Sequence, residues 1–312
     1  MYGHFCDLHR QRWSTQHEGA TMKDWRIRYV VYGLAVFFVS VCFSHTVSAQ
    51  SSDPELDAQE DETAIVSPAD EAGYYGPRIK VNIPARQLFL YDADDKLLKV
   101  YDIAVGKSIF PTPVGKRWID QIVWNPWWIP PNSYWAKDDV PTPPGPTNPL
   151  GPVKMKMGTI MFHGNNKDST IGVPASHGCM RMHNDQAAEL ARYLQESVTD
   201  LTDSNLFKEY KKNSKRSYYV NLTTRVPVEI VYELVEIRHN TLFVYQDVYS
   251  RVANKASLVE KKLLERGYDL EDVDIEFISK QLKITKNSDL SFDLPRLMVR
   301  KRGNDLSQLA QN

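Results

Sequence analysis

Between Pro111 and Pro152 the chain holds eleven of its eighteen prolines, and no other feature limits the fold as tightly. Proline lacks the backbone N–H and fixes φ, so it breaks helix interiors and is kept out of central strands. This density excludes both and predicts a long ordered loop. Trp118, Trp124, Trp127, Trp128 and Trp135 fall in the same stretch. Long loops inside compact domains are commonly lids or binding loops, which makes Trp127 and Trp128 candidate substrate contacts. The alternative is that the tryptophans fill a satellite core.

Regular structure is predicted on both sides. Ile79, Val81 and Ile83 alternate with polar residues, and Gln87–Tyr91 and Leu97–Val105 flank a turn at Asp92–Asp95, the pattern of consecutive strands. Thr159–Phe162 predicts a short strand. Ala187, Ala188, Leu190, Ala191 and Leu194 recur at helical spacing. Val226–Tyr232 and Leu242–Tyr245 predict two strands around His239–Asn240, followed by an amphipathic helix over Asn254–Glu265 and a tail that frays from Arg300. Together these give a mainly β domain with a short helix and a small C-terminal α+β extension.

The N-terminal part has a different character. A basic segment from Met22, an apolar run from Tyr29 to Phe43 and a small-x-small end at Val47-Ser48-Ala49 describe a secretory signal with cleavage after Ala49. The alternative is an uncleaved anchor, but fifteen residues of helix cover about 22 Å, short of the roughly 30 Å hydrocarbon core. Val41 before Cys42 does not suit a lipidation site. Residues 1–21 are unpatterned and lie before a second methionine, consistent with an upstream start codon. Residues 50–76 carry eight acidic residues and no basic one, the composition of a flexible linker. The expected plan is a signal over 1–49, a linker over 50–77, a catalytic domain over 78–220 and an extension over 221–312. The destination is the periplasm or cell envelope. A net charge of −1 argues against nucleic acid as a partner.

Beyond Ala49 one cysteine remains, Cys179, so it cannot form a disulfide within the exported chain. Three of the four histidines in that part, His163, His177 and His183, lie close to it in sequence. A thiol is mostly protonated at neutral pH, and an imidazole beside it can take the proton and release the nucleophile. Gly178 permits a tight turn, and if Cys179 enters a helix there, backbone N–H groups of Gly178 and Cys179 could bind an oxyanion. Two alternatives compete on residue types alone. His163, His177, Cys179 and His183 are all zinc-ligand types, at a spacing unlike the common structural patterns. The cysteine could also be a buried, inert thiol.

His163-Gly164 followed by Ser176-His177-Gly178-Cys179-Met180-Arg181, with the histidines fourteen residues apart, resembles the signature of the L,D-transpeptidase family, the YkuD-type catalytic domain of bacterial cell-wall enzymes. Phe110-Pro111-Thr112-Pro113-Val114-Gly115, Asn125-Pro126 and Pro144–Gly151 resemble further stretches of that family, and the likeness extends over about Arg78–Tyr219. Val226–Tyr232 resembles a segment that often follows the domain. The resemblance implies a β-sandwich or barrel-like catalytic domain and a peptidoglycan stem peptide as substrate. Cys179 would attack the diamino-acid carbonyl of a tetrapeptide stem, expel D-alanine and form a thioester. An acceptor amine, from another stem or from a wall-anchored protein, would resolve it. It further implies His163 as general base, the Gly164 carbonyl as its orienter, His177 as a second imidazole, Gly178 as an oxyanion N–H, Ser176 as support and Arg181 as a substrate-carboxylate ligand. The alternative for Arg181 is a structural ion pair. His183 and His239 match nothing in the signature and are expected at the surface. No metal and no cofactor are implied. The alternatives in function are a carboxypeptidase or cross-link hydrolase using water, and a non-catalytic wall-binding protein.

Overall fold

The computed structural model describes residues 73–309, with side chains described to Gly303. The expected signal and most of the acidic linker lie outside the described residues. No helix among the described residues is long and apolar enough to cross a membrane.

The domain is built on one curled eight-stranded sheet. In chain order its strands are β1 (Arg78–Asn82), β2 (Gln87–Tyr91), β3 (Leu97–Asp102), β5 (Gly115–Trp124), β6 (Val153–Met157), β7 (Ile160–His163), β9 (Met180–Arg181) and β10 (Tyr218–Val231). Their order across the sheet is β3-β2-β1-β10-β5-β6-β7-β9. A separate parallel pair joins β4 (Val105–Gly106) to β8 (Pro174–Ser176). Alternation sorts the side chains: Val153, Met155 and Met157 of β6, Phe162 of β7 and Met180 of β9 enter the core, and the residues between them face the other way.

Helix α1 (Asn184–Val198) closes that core with Ala187, Leu190, Ala191 and Leu194, all buried at 3.6-residue spacing. Strand β9 separates it from Cys179, so the cysteine does not lead directly into a helix as expected. Helix α2 (Ser204–Lys212) adds Tyr210, which stacks on Trp124 at 5.3 Å. The Trp124 indole N–H donates to the Gln195 side chain at 2.9 Å inside the core, so this tryptophan is a packing residue with its polar edge satisfied.

The proline-rich stretch is only partly a loop. Prolines stop at Pro113 and resume at Pro126, and the proline-free interval forms β5, which pairs with both β10 and β6 in the middle of the sheet. The expectation that proline excludes a central strand from 111–152 therefore fails for 115–124. The loop proper runs from 126 to 152. It is pinned by reciprocal backbone bonds between Trp128 and Thr142 (3.0 and 2.9 Å) and by Asn148, which is fully buried. The Asn148 amide donates to the carbonyls of Pro126 (2.9 Å), Thr142 and Pro143 (3.0 Å each), and its oxygen accepts from the Leu150 N–H at 2.8 Å. Prolines supply carbonyls but no N–H groups, so a side-chain amide is the natural staple for such a loop.

Strand β10 runs across the expected domain boundary at residue 220 and pairs parallel with β1 through Val231. Beyond it, β11 (Val235–Arg238), β12 (Thr241–Val244) and β13 (Leu290–Asp293) make a three-stranded antiparallel sheet. The hairpin at His239–Asn240 is formed by β11 and β12. Val226–Tyr232, read as one of its arms, instead belongs to the large sheet up to Val231. Both turn residues have positive φ (46° and 63°), as a two-residue hairpin of the primed type requires. Helices α3 (Lys255–Glu265), α4 (Ile275–Ile284) and α5 (Leu294–Leu309) cover this sheet around a second core that includes Leu242, Val259, Leu263 and Ile278. The tail expected to fray from Arg300 is helical in α5. Asn82, fully buried on β1, ties the two cores together through Glu233 and the Glu236 carboxylate (2.6 Å).

Replacing Asn148 by alanine strands three carbonyls and one N–H. The expected cost is about 1–3 kcal/mol, read as a lower urea midpoint together with faster proteolysis between residues 126 and 152. Unchanged proteolysis of that segment would show that the staple does not hold the loop.

Candidate active site

Cys179 sits on a tight turn between β8 and β9, and the turn is held by hydroxyl groups. Ser176 is buried. Its Oγ accepts from the Gly178 N–H at 3.1 Å and donates to the Cys179 carbonyl. Gly178 has φ of +109°, a conformation that L side chains rarely adopt. Its carbonyl accepts from the Thr112 hydroxyl at 2.9 Å, and that hydroxyl accepts in turn from the Gly106 N–H at 2.8 Å. The Gly178 N–H, expected to face an oxyanion, is engaged by Ser176. The Cys179 N–H is the other backbone donor of the expected oxyanion pair.

His163 lies beside this turn because β7 and β9 run parallel, with Phe162 opposite Met180 and His163 opposite Arg181. Cys179 therefore follows Met161 in register, and the Met161 backbone hydrogen-bonds to the thiol. His163 is buried, and its Nδ1 is 2.6 Å from the Gly164 carbonyl. That contact places the proton on Nδ1 and leaves Nε2 as a proton acceptor. Burial holds the imidazole down at about 4. The Gly164 carbonyl opposes this, while Arg181 and Lys154 add to it. Burial also pushes the Cys179 thiol up, against the Met161 hydrogen bond and the charges of Arg181 and Lys154. At neutral pH the site thus holds a neutral thiol and a neutral imidazole, an arrangement suited to general-base transfer during attack rather than to a resting ion pair.

Gly164 admits no side chain, since a Cβ there would press on the Asn184 side chain and Pro152. Asn184, the first residue of α1, accepts from the Asn165 N–H at 2.7 Å and so fixes the backbone that carries the Gly164 carbonyl. His177 is half-buried. Its ring lies flat on Trp135 (4.0 Å, 5°) and against Phe110 (4.7 Å), which in turn meets Tyr134. Burial lowers the His177 pKa, with Lys107 and Arg181 adding to it. The proline-rich loop does reach the nucleophile turn, and it does so through Trp135. Trp127 is exposed and Trp128 is engaged through its backbone with Thr142. Arg181 is half-buried and carries no ion pair among the described residues. His183 turns toward Asp168 (3.4 Å). Among the described residues no three of His, Cys, Asp or Glu are placed to share a metal ion.

One contributor comes from beyond the expected catalytic domain. Tyr249 donates to the Gly106 carbonyl at 3.0 Å and accepts from the Thr112 N–H at 3.0 Å. Its own N–H donates to the Tyr232 hydroxyl at 2.8 Å; that hydroxyl donates to Asp247 at 2.5 Å, and the Tyr232 and Tyr249 rings stack at 5.4 Å. The extension thereby braces Thr112, which holds the Gly178 carbonyl, and Gly106, which donates to the Thr112 hydroxyl. Thr112 stood in a recognisable motif, but nothing in the sequence around Tyr249 signalled its role.

A family model for the YkuD L,D-transpeptidase catalytic domain matches residues 76–230. Residues 76–230 belong to that family. Among curated proteins, the L,D-transpeptidase named YkuD of Bacillus licheniformis is 35% identical over 116 residues, 36% of this chain and 58% of that protein. The L,D-transpeptidase named ErfK/SrfK of Escherichia coli K12 is 32% identical over 118 residues, 34% of this chain and 37% of that protein. The chain thus spans about a third to three-fifths of the length of these relatives. Among solved structures, an L,D-transpeptidase from Mycobacterium smegmatis aligns at 15% identity with a TM-score of 0.33, over 50% of this chain and 58% of that one. The L,D-transpeptidase domain ends with β10, so Tyr249 lies outside the matched residues.

Tyr249→Phe keeps the ring stack and removes both hydrogen bonds of the hydroxyl. Loss of stability of about 1–3 kcal/mol and faster hydrogen exchange at the Gly178 amide are expected. Full protection at Gly178 in the variant would show that the brace does not reach the turn.

Proposed function

We propose that this chain is an exported L,D-transpeptidase that acts on peptidoglycan tetrapeptide stems through a thioester on Cys179. The observation that carries the proposal is the register of β7 and β9, which brings a half-buried thiol on a hydroxyl-braced glycine turn beside the strand of a buried histidine oriented by the Gly164 carbonyl. The family of residues 76–230 supports the same reading.

In the first half-reaction the Cys179 sulfur attacks the diamino-acid carbonyl while His163 Nε2 takes the thiol proton. The Cys179 N–H faces the developing oxyanion, a contribution of the kind that lowers acyl-transfer barriers most. The C–N bond to D-alanine breaks, and His163 returns the proton to the leaving amine. In the second half-reaction an acceptor amine attacks the thioester and His163 takes its proton. The C–S bond breaks, and the sulfur recovers that proton. Thiol, imidazole and backbone donors fill every role in this sequence. The acceptor is a neighbouring stem, or a wall-anchored protein. Ser176 and Thr112 hold the turn. His177, sandwiched by Trp135 and Phe110, forms one wall over the nucleophile; Trp127 and Trp128 are further substrate contacts on the same loop.

The test is intact-mass spectrometry of the protein after incubation with a disaccharide-tetrapeptide. An adduct equal to the stem minus D-alanine is expected, and it should be absent in Cys179→Ala. Folded protein that forms no adduct and releases no D-alanine would sink the proposal and favour a wall-binding role, in which Cys179→Ala changes nothing. Free tripeptide in place of cross-linked product would make the enzyme a hydrolase.

The acylation rate also has an expected pH profile. His163 must be neutral to act, and its folded-state pKa of about 4 keeps it so down to that pH. The acid limb should therefore fall near pH 4. A limb near 6.5, the ordinary histidine value, would show that burial does not hold the imidazole down as expected.

A further inference from the structure

Three residues stand in one row across the sheet beside the nucleophile. Lys154 on β6 is directly opposite His163 on β7, and His163 is directly opposite Arg181 on β9. Residues paired across strands present their side chains on the same face. The strand spacing puts the backbones of Lys154 and Arg181 about 10 Å apart, with the imidazole between them. Cys179 is two residues before Arg181, on the turn that leads into β9. Both cations are close enough to the thiol and the imidazole to shift the pKa of each.

Neither cation has an acidic partner among the described residues. Continuing the row past Lys154 brings Val123 and then Tyr219; the adjacent row holds Met161, Lys156, Gln121 and Asn221. No aspartate or glutamate stands in either row. Lys154 and Arg181 are both half-buried, and burial lowers the pKa of each. Two cations in one row, partly desolvated and without a counter-ion in the described residues, make a site of positive potential that attracts an anion from outside the chain.

We propose that Lys154 and Arg181 form a twin-cation site that binds two carboxylates of the acyl donor, one on each side of the scissile carbonyl. The inference rests on the transpeptidase reading of the site and names its substrate more closely. In a tetrapeptide stem one carboxylate is that of the terminal D-alanine, a few bonds beyond the scissile carbon. The second must be carried by the diamino acid, at the end of its side chain on the other side. The preferred donor therefore has a diamino acid with a free side-chain carboxylate. An amidated carboxylate, or a diamino acid with a plain amine at that position, leaves one cation without its partner.

Two alkylating agents of nearly equal size test the site without reference to transpeptidation. Iodoacetate carries a carboxylate and iodoacetamide does not, and both alkylate the Cys179 sulfur with loss of iodide. The full chain is treated with each, digested, and the Cys179 peptide is quantified by mass spectrometry. The ratio of the iodoacetate rate to the iodoacetamide rate, normalised to that of free cysteine, should exceed one. It should fall about three- to tenfold in Lys154→Met, recover in Lys154→Arg and decline with added salt. A change in thiol pKa or in folding moves both rates together and cancels in the ratio. A ratio unaffected by Lys154→Met overturns the twin-cation site.

The second arm compares acylation by tetrapeptide stems with a free or an amidated side-chain carboxylate. Faster use of the free stem, with the preference collapsing in Lys154→Met, is expected. Equal use of both stems by the unsubstituted protein overturns the substrate assignment. An intact iodoacetate preference with no acylation by either stem would uphold the anion site and bring down the peptidoglycan reading.

Discussion

The reactive part of this molecule depends on a glycine held at positive φ by two hydroxyl groups. Ser176 closes the turn from within, and Thr112 anchors the Gly178 carbonyl from a different part of the chain. A turn in this conformation relaxes unless its surroundings over-determine it. The surroundings here reach outward in layers. Thr112 and Gly106 are bridged by Tyr249, and Tyr249 is locked by Tyr232 and Asp247. The position of one sulfur atom is thereby coupled to residues on both sides of the catalytic sheet's last strand.

The same turn explains why the sheet has an unusual edge. Strand β9 contributes only Met180 and Arg181, yet its parallel pairing with β7 sets the relation of thiol to imidazole. Met180 points into the core and anchors the strand by apolar burial, while Arg181 shares the face of His163. Packing and chemistry are divided between the two faces of a two-residue strand. His163 shows the same division. It sits at the end of β7 with its ring buried, and the desolvation that keeps it neutral leaves Nε2 free for the proposed role of base while opposing charge on both imidazole and thiol.

Charge on this face is one-sided. Lys154 and Arg181 favour the thiolate over the thiol and the neutral imidazole over the imidazolium. They also leave a positive potential that no side chain of the described residues offsets. A site of this kind is complementary to an anion before any substrate arrives, which unites the electrostatics of the nucleophile with those of recognition.

The sequence alone determined which groups are candidates for the chemistry. Cys179, the histidines near it and Gly178 stood out by residue type, and the resemblance of the motif gave His163, the Gly164 carbonyl and Ser176 their expected roles. Core positions such as Leu190 and Phe162 were legible from periodicity. Three things were decided only by the tertiary structure. Strand β5 was hidden because proline density was averaged over an interval whose middle is free of proline. Trp135 could not be told from Trp127 or Trp128, because which ring meets His177 depends on how Asn148 folds the loop. Tyr249 and Lys154 carried no local signal at all. A tyrosine 137 residues from Thr112 acts through a docking of two cores, and a lysine on an alternating strand acts through cross-strand register. Both are relations between distant segments, and local pattern contains no information about them.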